Sequence, residues 1–222
     1  SVDADGTAVA FASKATNLSE ADTDGDFDIF ISIGGQVERA SVSGGTAING
    51  DSVSPSVNID GTVIAFESTA TNLVGGDTNG ASDIFLRDRD NGFTVRVSLQ
   101  TGGGQANGPS YDPSISDGGY IVAFASDATD LYGTDNNSRS DVFVHSLYAN
   151  QTTLVSSDVT GTQTANGPSG DPSLSGDGNL VAFESQASDL VAGDGGGHQD
   201  IFLRSIIGSQ TWRISEGYDG SD

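Results

Sequence analysis

Ile64-Ala65-Phe66-Glu67-Ser68-Thr69-Ala70-Thr71-Asn72-Leu73, followed by Asp77-Thr78-Asn79-Gly80-Ala81-Ser82-Asp83-Ile84-Phe85, is one copy of a phrase that the chain carries four times. An apolar triplet leads, a Ser and Ala-Thr/Ser-Asn/Asp-Leu follow, and a run opening on Asp closes on Asp-Ile/Val-Phe. The copies occupy residues 9–30, 64–85, 122–143 and 181–202. Their first loop aspartates, Asp22, Asp77, Asp135 and Asp194, stand 55, 58 and 59 residues apart. A period of this length, with no helical spacing inside it, predicts one β supersecondary unit used four times.

Each repeat reads as four antiparallel strands. Asp5-Gly6, Asp60-Gly61, Gly118-Gly119 and Asp177-Gly178 close a first short strand with residues suited to positive φ in a tight turn. The second strand holds Val9-Ala10-Phe11, Ile64-Ala65-Phe66, Val122-Ala123-Phe124 and Val181-Ala182-Phe183, a small residue between two large apolar ones. That alternation is the period of a strand. The third strand starts at Ile29-Phe30, Ile84-Phe85, Val142-Phe143 and Ile201-Phe202, so two sets of Phe are expected to be buried between neighbouring units. The fourth carries Arg39, Arg96 and Arg213 at one position, where the third repeat has Leu154. Arg there predicts an outer edge strand whose charge blunts sheet-to-sheet pairing. A connector with Asn107-Gly108-Pro109 or Asn166-Gly167-Pro168 leads to the next unit, and Asp112-Pro113 and Asp171-Pro172 belong to it. The expectation is an all-β chain, a single domain over 1–222, with blades at approximately 1–55, 56–113, 114–172 and 173–222.

Pro55-Ser56 with Asp60-Gly61, Ile64-Ala65-Phe66, Ala70-Thr71-Asn72-Leu73, Gly76-Asp77-Thr78-Asn79-Gly80 and Asp83-Ile84-Phe85 together resemble the TolB-like, WD-repeat-like β-propeller repeats of exported bacterial proteins. The resemblance covers essentially the whole chain, most closely over residues 55–87. It implies a propeller of four-stranded antiparallel blades, used as a binding or scaffolding surface in an extracellular or periplasmic setting, and it carries over no catalytic residues. Propellers of this type usually have more than four blades. With all four strands present in every repeat, one four-bladed ring in a monomer is the expectation, and two chains completing eight blades is the rival.

Thirty-one acids against eight bases leave a net charge of −23, spread through all four repeats. Such a field repels phosphate backbones and disfavours nucleic acid unless a bound cation bridges the two. The absence of Cys removes disulfide and thiolate chemistry, and with two His it disfavours zinc. No apolar stretch approaches the length of a membrane span. With no Met in the sequence, the start of the translated protein is expected upstream of Ser1.

The loops place oxygen side chains at fixed offsets. Asp22, Asp24 and Asp28 recur as Asp77, Asn79 and Asp83, as Asp135, Asn137 and Asp141, and as Asp194 and Asp200 with Gly196 between them. Calcium takes six to eight hard oxygens around a sharp turn, and Asp-x-Asp/Asn-Gly meets the start of that need without the distal Glu of an EF-hand. These eleven residues are therefore candidate calcium ligands. The competing reading is an Asx-turn, in which Asp and Asn cap their own backbone without metal.

Two functions are compatible with these features. One is a calcium-binding propeller that offers its loops and channel to a protein or glycan. The alternative is a metal-dependent hydrolase, acting for instance on phosphodiesters such as RNA, with a loop-bound cation activating water and His198 as general base. Glu67 and Glu184 read as exposed strand residues, and Trp212 as blade packing. No nucleophile elbow or phosphate-binding loop is present.

Overall fold

The structure, a computed structural model, describes residues 1–19, 25–44, 48–133, 135–195 and 198–216. Among them every regular element is a strand. The first repeat forms β1 (Ala8–Ser13), β2 (Asp28–Ile33) and β3 (Gln36–Arg39). The second forms β4 (Ser52–Val57), β5 (Val63–Ser68), β6 (Asp83–Asp88) and β7 (Phe93–Arg96). The third forms β8 (Ser110–Ile115), β9 (Ile121–Ser126), β10 (Asp141–Ser146) and β11 (Gln151–Leu154). The fourth forms β12 (Ser169–Leu174), β13 (Leu180–Ser185), β14 (Asp200–Ser205) and β15 (Gln210–Arg213).

Each repeat is one antiparallel sheet whose strands follow chain order from inside to outside. Three sheets have four strands. The first has three, with its missing inner strand represented by a single bridge from Val2 to Val9. The inner strands β4, β8 and β12 pack on one another in sequence, which sets the blades around a common axis.

The inner strands begin earlier than the repeat predicted. Each starts at Ser52, Ser110 or Ser169, so the expected blade limits fall inside the strand and the Asp-Pro pairs belong to it. A bulge makes this compatible with proline. The register with the second strand skips between Val53 and Ser56, between Tyr111 and Ser114, and between Gly170 and Ser173. The residues skipped are Ser54-Pro55, Asp112-Pro113 and Asp171-Pro172, so the missing proline N–H interrupts no ladder bond. Ser54, Asp112 and Asp171 take left-handed φ values of 52°, 52° and 49°.

Blade-to-blade packing is one interface used three times. Call the side of a blade facing the next repeat its forward face. Ala10, Ile29 and Ile31 of the first blade meet Ile64, Phe66 and Phe85 of the second. Ala65, Ile84 and Leu86 meet Val122, Phe124 and Phe143. Ala123, Val142 and Val144 meet Val181, Phe183 and Phe202. The backward face thus always presents a pair of Phe directly opposite each other across the sheet, ring centroids 5.8–6.0 Å apart. The two expected sets of Phe are this pair, and all but the half-buried Phe11 are fully buried.

The connectors are tied down by side-chain bonds. Asn49 donates to Thr71 Oγ1 (2.8 Å) and accepts from the Thr71 amide (2.8 Å). Asn107 does the same with Thr129, and Asn166 with Ser188. The glycine that follows sits where a Cβ would lie 2.7–3.0 Å from backbone atoms at Ala70, Ala128 or Ala187. The recurrence of Ala-Thr-Asn-Leu and Asn-Gly in one repeat therefore has a single cause: the two phrases face each other.

Candidate functional site

The aspartate that opens each third strand is buried: Asp28, Asp83, Asp141 and Asp200 are at most 8% exposed. Their partner is a serine two residues past the arginine position. Ser41, Ser98, Ser156 and Ser215 donate to the carboxylates at 2.6, 2.6, 2.7 and 2.5 Å. The same hydroxyls accept from the amides of Ile29, Ile84, Val142 and Ile201 at 3.0–3.1 Å. One serine thus fastens the third strand to the end of the fourth, and one carboxylate oxygen in each blade is committed to structure.

The arginines do not lie on an exposed edge as expected. Arg39 Nη1 is 3.1 Å from Asp28 Oδ2, Arg96 Nη1 is 3.3 Å from Asp77 Oδ1 and 3.1 Å from Asp83 Oδ2, and Arg213 Nη1 is 3.5 Å from Asp194 Oδ1. All three side chains are buried. In water such pairs contribute little, but buried carboxylates need a nearby positive charge or a proton. A single guanidinium serves the loop aspartates of the second blade. Burial and the Asp83 carboxylate push Asp77 above its usual range, against the pull of Arg96 and a hydrogen bond from Gln105.

The third blade departs from this scheme. Leu154 occupies the arginine position and is buried among apolar neighbours. Asp141 keeps its bond from Ser156, but burial, with a smaller contribution from the Asp135 carboxylate, pushes it up to about 7. Asp135 Oδ1 accepts from the amides of Asn137 (2.8 Å) and Ser138 (3.0 Å), the Asx-turn pattern. Among the described residues, Asp135 Oδ2 is buried with no hydrogen-bond partner. Asn79 and Asn137 point their amide nitrogens at the strand aspartates, Asp83 at 3.2 Å and Asp141 at 3.5 Å. Their carbonyl oxygens accept from the amides of Ala81 and Arg139.

Of the eleven candidate ligands, Asp22 and Asp24 lie outside the described residues. Asp28, Asp77, Asp83 and Asp194 contact arginine, Asp200 is held by Ser215, and Asp135 with Asp141 converge without a base. Among the described residues no group of three or more His, Cys, Asp or Glu side chains is arranged to hold a metal ion. His198 is exposed, and the aspartates flanking it are engaged by Arg213 and Ser215. His145 is buried against Thr152 Oγ1 (2.8 Å), and burial drives it down to about 4.

Glu67 is half-buried rather than exposed, and burial and Asp112 raise it. Asp112 is raised in turn by burial and by Asp171 in the next blade. Asp112 on β8 and Asp171 on β12, with Glu67 on β5, therefore form a line of interacting carboxylates, and the repeat phrases singled out neither aspartate. The signal of the two aspartates is the Asp-Pro dipeptide, whose composition reads as connector.

Three solved structures place this architecture. A structure assigned as a TolB from Agrobacterium tumefaciens superposes with a TM-score of 0.57 at 16% identity, over 96% of this chain and 62% of that one. The fold is a TolB-like β-propeller. Dipeptidyl peptidase 4 from Porphyromonas gingivalis matches with a TM-score of 0.55 at 14% identity, over 96% of this chain and 32% of its own. A puromycin-hydrolyzing peptidase from Mycobacterium tuberculosis matches with 0.54 at 14%, over 98% and 31%. The chain thus spans less than two thirds of the length of each. No protein-family model matches it, and no curated protein matches it by sequence. Among the described residues no helix is long and apolar enough to cross a membrane.

Proposed function

We propose that this propeller is a calcium-stabilised binding or scaffold module of an exported protein, working outside the cytoplasm on a protein or glycan ligand. The propeller fold supports the module reading. In the two peptidases it matches about a third of a longer chain, so the same architecture occurs there as one part of a larger protein. The acidic charge of −23 and the carboxylates Glu67, Asp112 and Asp171 on adjoining strands favour a ligand with positive charge over a phosphate backbone.

The observation that carries the calcium part is the exchange of arginine for Leu154. In the other three blades the loop or strand carboxylates meet a guanidinium. In the third, Asp135 and Asp141 have no base and Asp135 Oδ2 has no partner. Those two carboxylates would hold the ion, which supplies the positive charge the missing arginine would have brought.

Melting curves with calcium and with chelator test this. Calcium binding only the folded state stabilises by RT ln(1 + [L]/Kd), about 2.7 kcal/mol at a hundredfold excess over Kd. The wild-type melting temperature should rise with calcium and fall with chelator. Leu154→Arg should restore the sister-blade pairing and abolish that response. A wild-type curve indifferent to both additions rejects the calcium reading.

A further inference from the structure

In the second, third and fourth blades one residue of the third strand stands opposite a threonine on the outermost strand: Arg87 opposite Thr94, His145 opposite Thr152 and Arg204 opposite Thr211. In the second and third blades the connector from the preceding blade seals that pair. Thr94 Oγ1 donates to the Val42 carbonyl at 2.9 Å, and Thr152 Oγ1 donates to the Leu99 carbonyl. Thr101 Oγ1 also exchanges bonds with the Thr152 backbone, at 3.1 and 3.2 Å. In the fourth blade the connector turns elsewhere. The Val159 amide donates to the Asp189 carbonyl at 2.7 Å, and among the described residues no connector group bonds Thr211. A cavity of about 210 Å³ lies there between connector and blade, with Arg204 and Thr211 in its wall. Arg204 is 8% exposed, and its Nη1 donates to Thr211 Oγ1 at 2.9 Å. Arg39, Arg89, Arg96 and Arg213 each meet a carboxylate, whereas among the described residues Arg204 pairs with none. A buried guanidinium is costly without an anion, and burial lowers Arg204 below the usual arginine range.

We propose that this cavity binds a small hydroxylated monocarboxylate of single-sugar size, a sugar acid, with Arg204 on its carboxylate. The guanidinium offers a planar pair of donors, the geometry that a carboxylate accepts. Asp158, Ser209 and Gln210 stand around it with groups that meet hydroxyls, while Val159, Leu190 and Val191 give an apolar side to the C–H face of a ring. Asp158 accepts from Thr160 Oγ1 and from the amides of Thr162 and Gln163 in its own loop, which holds its carboxylate in place as an acceptor. The cavity is smaller than the roughly 300 Å³ at which drug-sized sites begin, so one small ring fills it. The −23 charge of the chain opposes a polyanion, and a ligand with a single negative charge meets the least repulsion. No candidate calcium ligand lines the cavity, so the site is independent of the calcium reading.

Two-dimensional NMR titration of the intact chain with D-glucuronate, in metal-free buffer, tests this. Saturable binding is expected, with shifts at Val159, Ser209 and Gln210. D-glucose lacks the carboxylate and acetate lacks the hydroxyls, and each should bind about tenfold more weakly or worse. Arg204→Gln should weaken glucuronate by about tenfold or more, the effect of losing a charge-assisted bond. Because Arg204 is buried, Val159→Trp is the second variant. It enlarges a side chain that is 60% exposed at the cavity, and should block binding while leaving the circular dichroism unchanged. Arg87→Gln, at the sealed equivalent in the second blade, should leave the affinity unchanged. The proposal is overturned by no saturable binding of glucuronate, by equal affinity for glucose, by inorganic phosphate binding as tightly, or by binding insensitive to both Arg204→Gln and Val159→Trp.

Discussion

Arg96 Nη1 lies 3.1 Å from Asp83 Oδ2, and both side chains are almost fully buried. The pair joins the end of an outermost strand to the start of its neighbour, thirteen residues earlier in the chain. With Ser98 on the other carboxylate oxygen, it makes the aspartate of the Asp-Ile-Phe phrase a structural clamp in the second blade.

Arg96→Leu should therefore be costly. It strands Asp77 and Asp83 without a base, and breaking a buried pair by removing one partner costs about 3–5 kcal/mol. Urea unfolding at neutral pH measures it. Adding Asp83→Asn should recover part of the loss, and a double variant as unstable as the single would show that the charge is not the cause.

The third blade predicts a pH dependence. The folded Asp141 carboxyl holds its proton up to about 7, whereas the unfolded chain releases it near 3.8. The folded state binds more protons across that window, so in metal-free buffer this group's contribution is present below pH 4 and is lost as pH rises to about 7. Asp77, Glu67 and Asp112 are raised as well and add slopes of the same sign. Comparing wild type with Asp141→Asn isolates the one group: the variant should gain stability relative to wild type as pH rises. Equal slopes for the two proteins would reject the assignment.

Phe124→Ala removes a fully buried ring from between the second and third blades and should cost about 3–5 kcal/mol. Phe11→Ala, at the same position in the first blade, should cost clearly less, because that side chain is only half-buried. Denaturant titrations of the two variants make the comparison.

Gly167→Ala places a Cβ 2.7 Å from the Ala187 amide nitrogen and should destabilise by about 1–3 kcal/mol, the cost of overpacking against rigid neighbours. Gly170→Ala, with nothing within 4 Å of the added carbon, should be close to neutral. Thermal melts of both variants test whether the connector is locked against the Ala-Ser-Asp-Leu turn.

Much of the blade was legible because its signals are local. The period-2 alternation of Val122-Ala123-Phe124 and the turn residues Asp60-Gly61 act within a few residues of themselves, and four copies of the pattern align the strands without reference to anything distant. The burial of the Phe pairs follows from that register, since every strand residue's face is set by its parity.

Direction and partner were not legible. An arginine on an outer strand reads as a solvent charge by residue type, and only the pleat and the closeness of β6 to β7 turn Arg96 inward onto Asp83. Asp112-Pro113 reads as connector by composition, and becomes strand because a bulge leaves the proline unpaired. The exposure of Ile214 and the burial of Val155 cannot be told apart from two similar strand sequences. They differ only in whether another blade stands in front, and the hydrophobic effect acts on the area that neighbour covers. Repetition along the chain therefore determined what each blade is, while the arrangement of blades in space decided which carboxylates meet a cation and which apolar side chains a neighbouring blade covers.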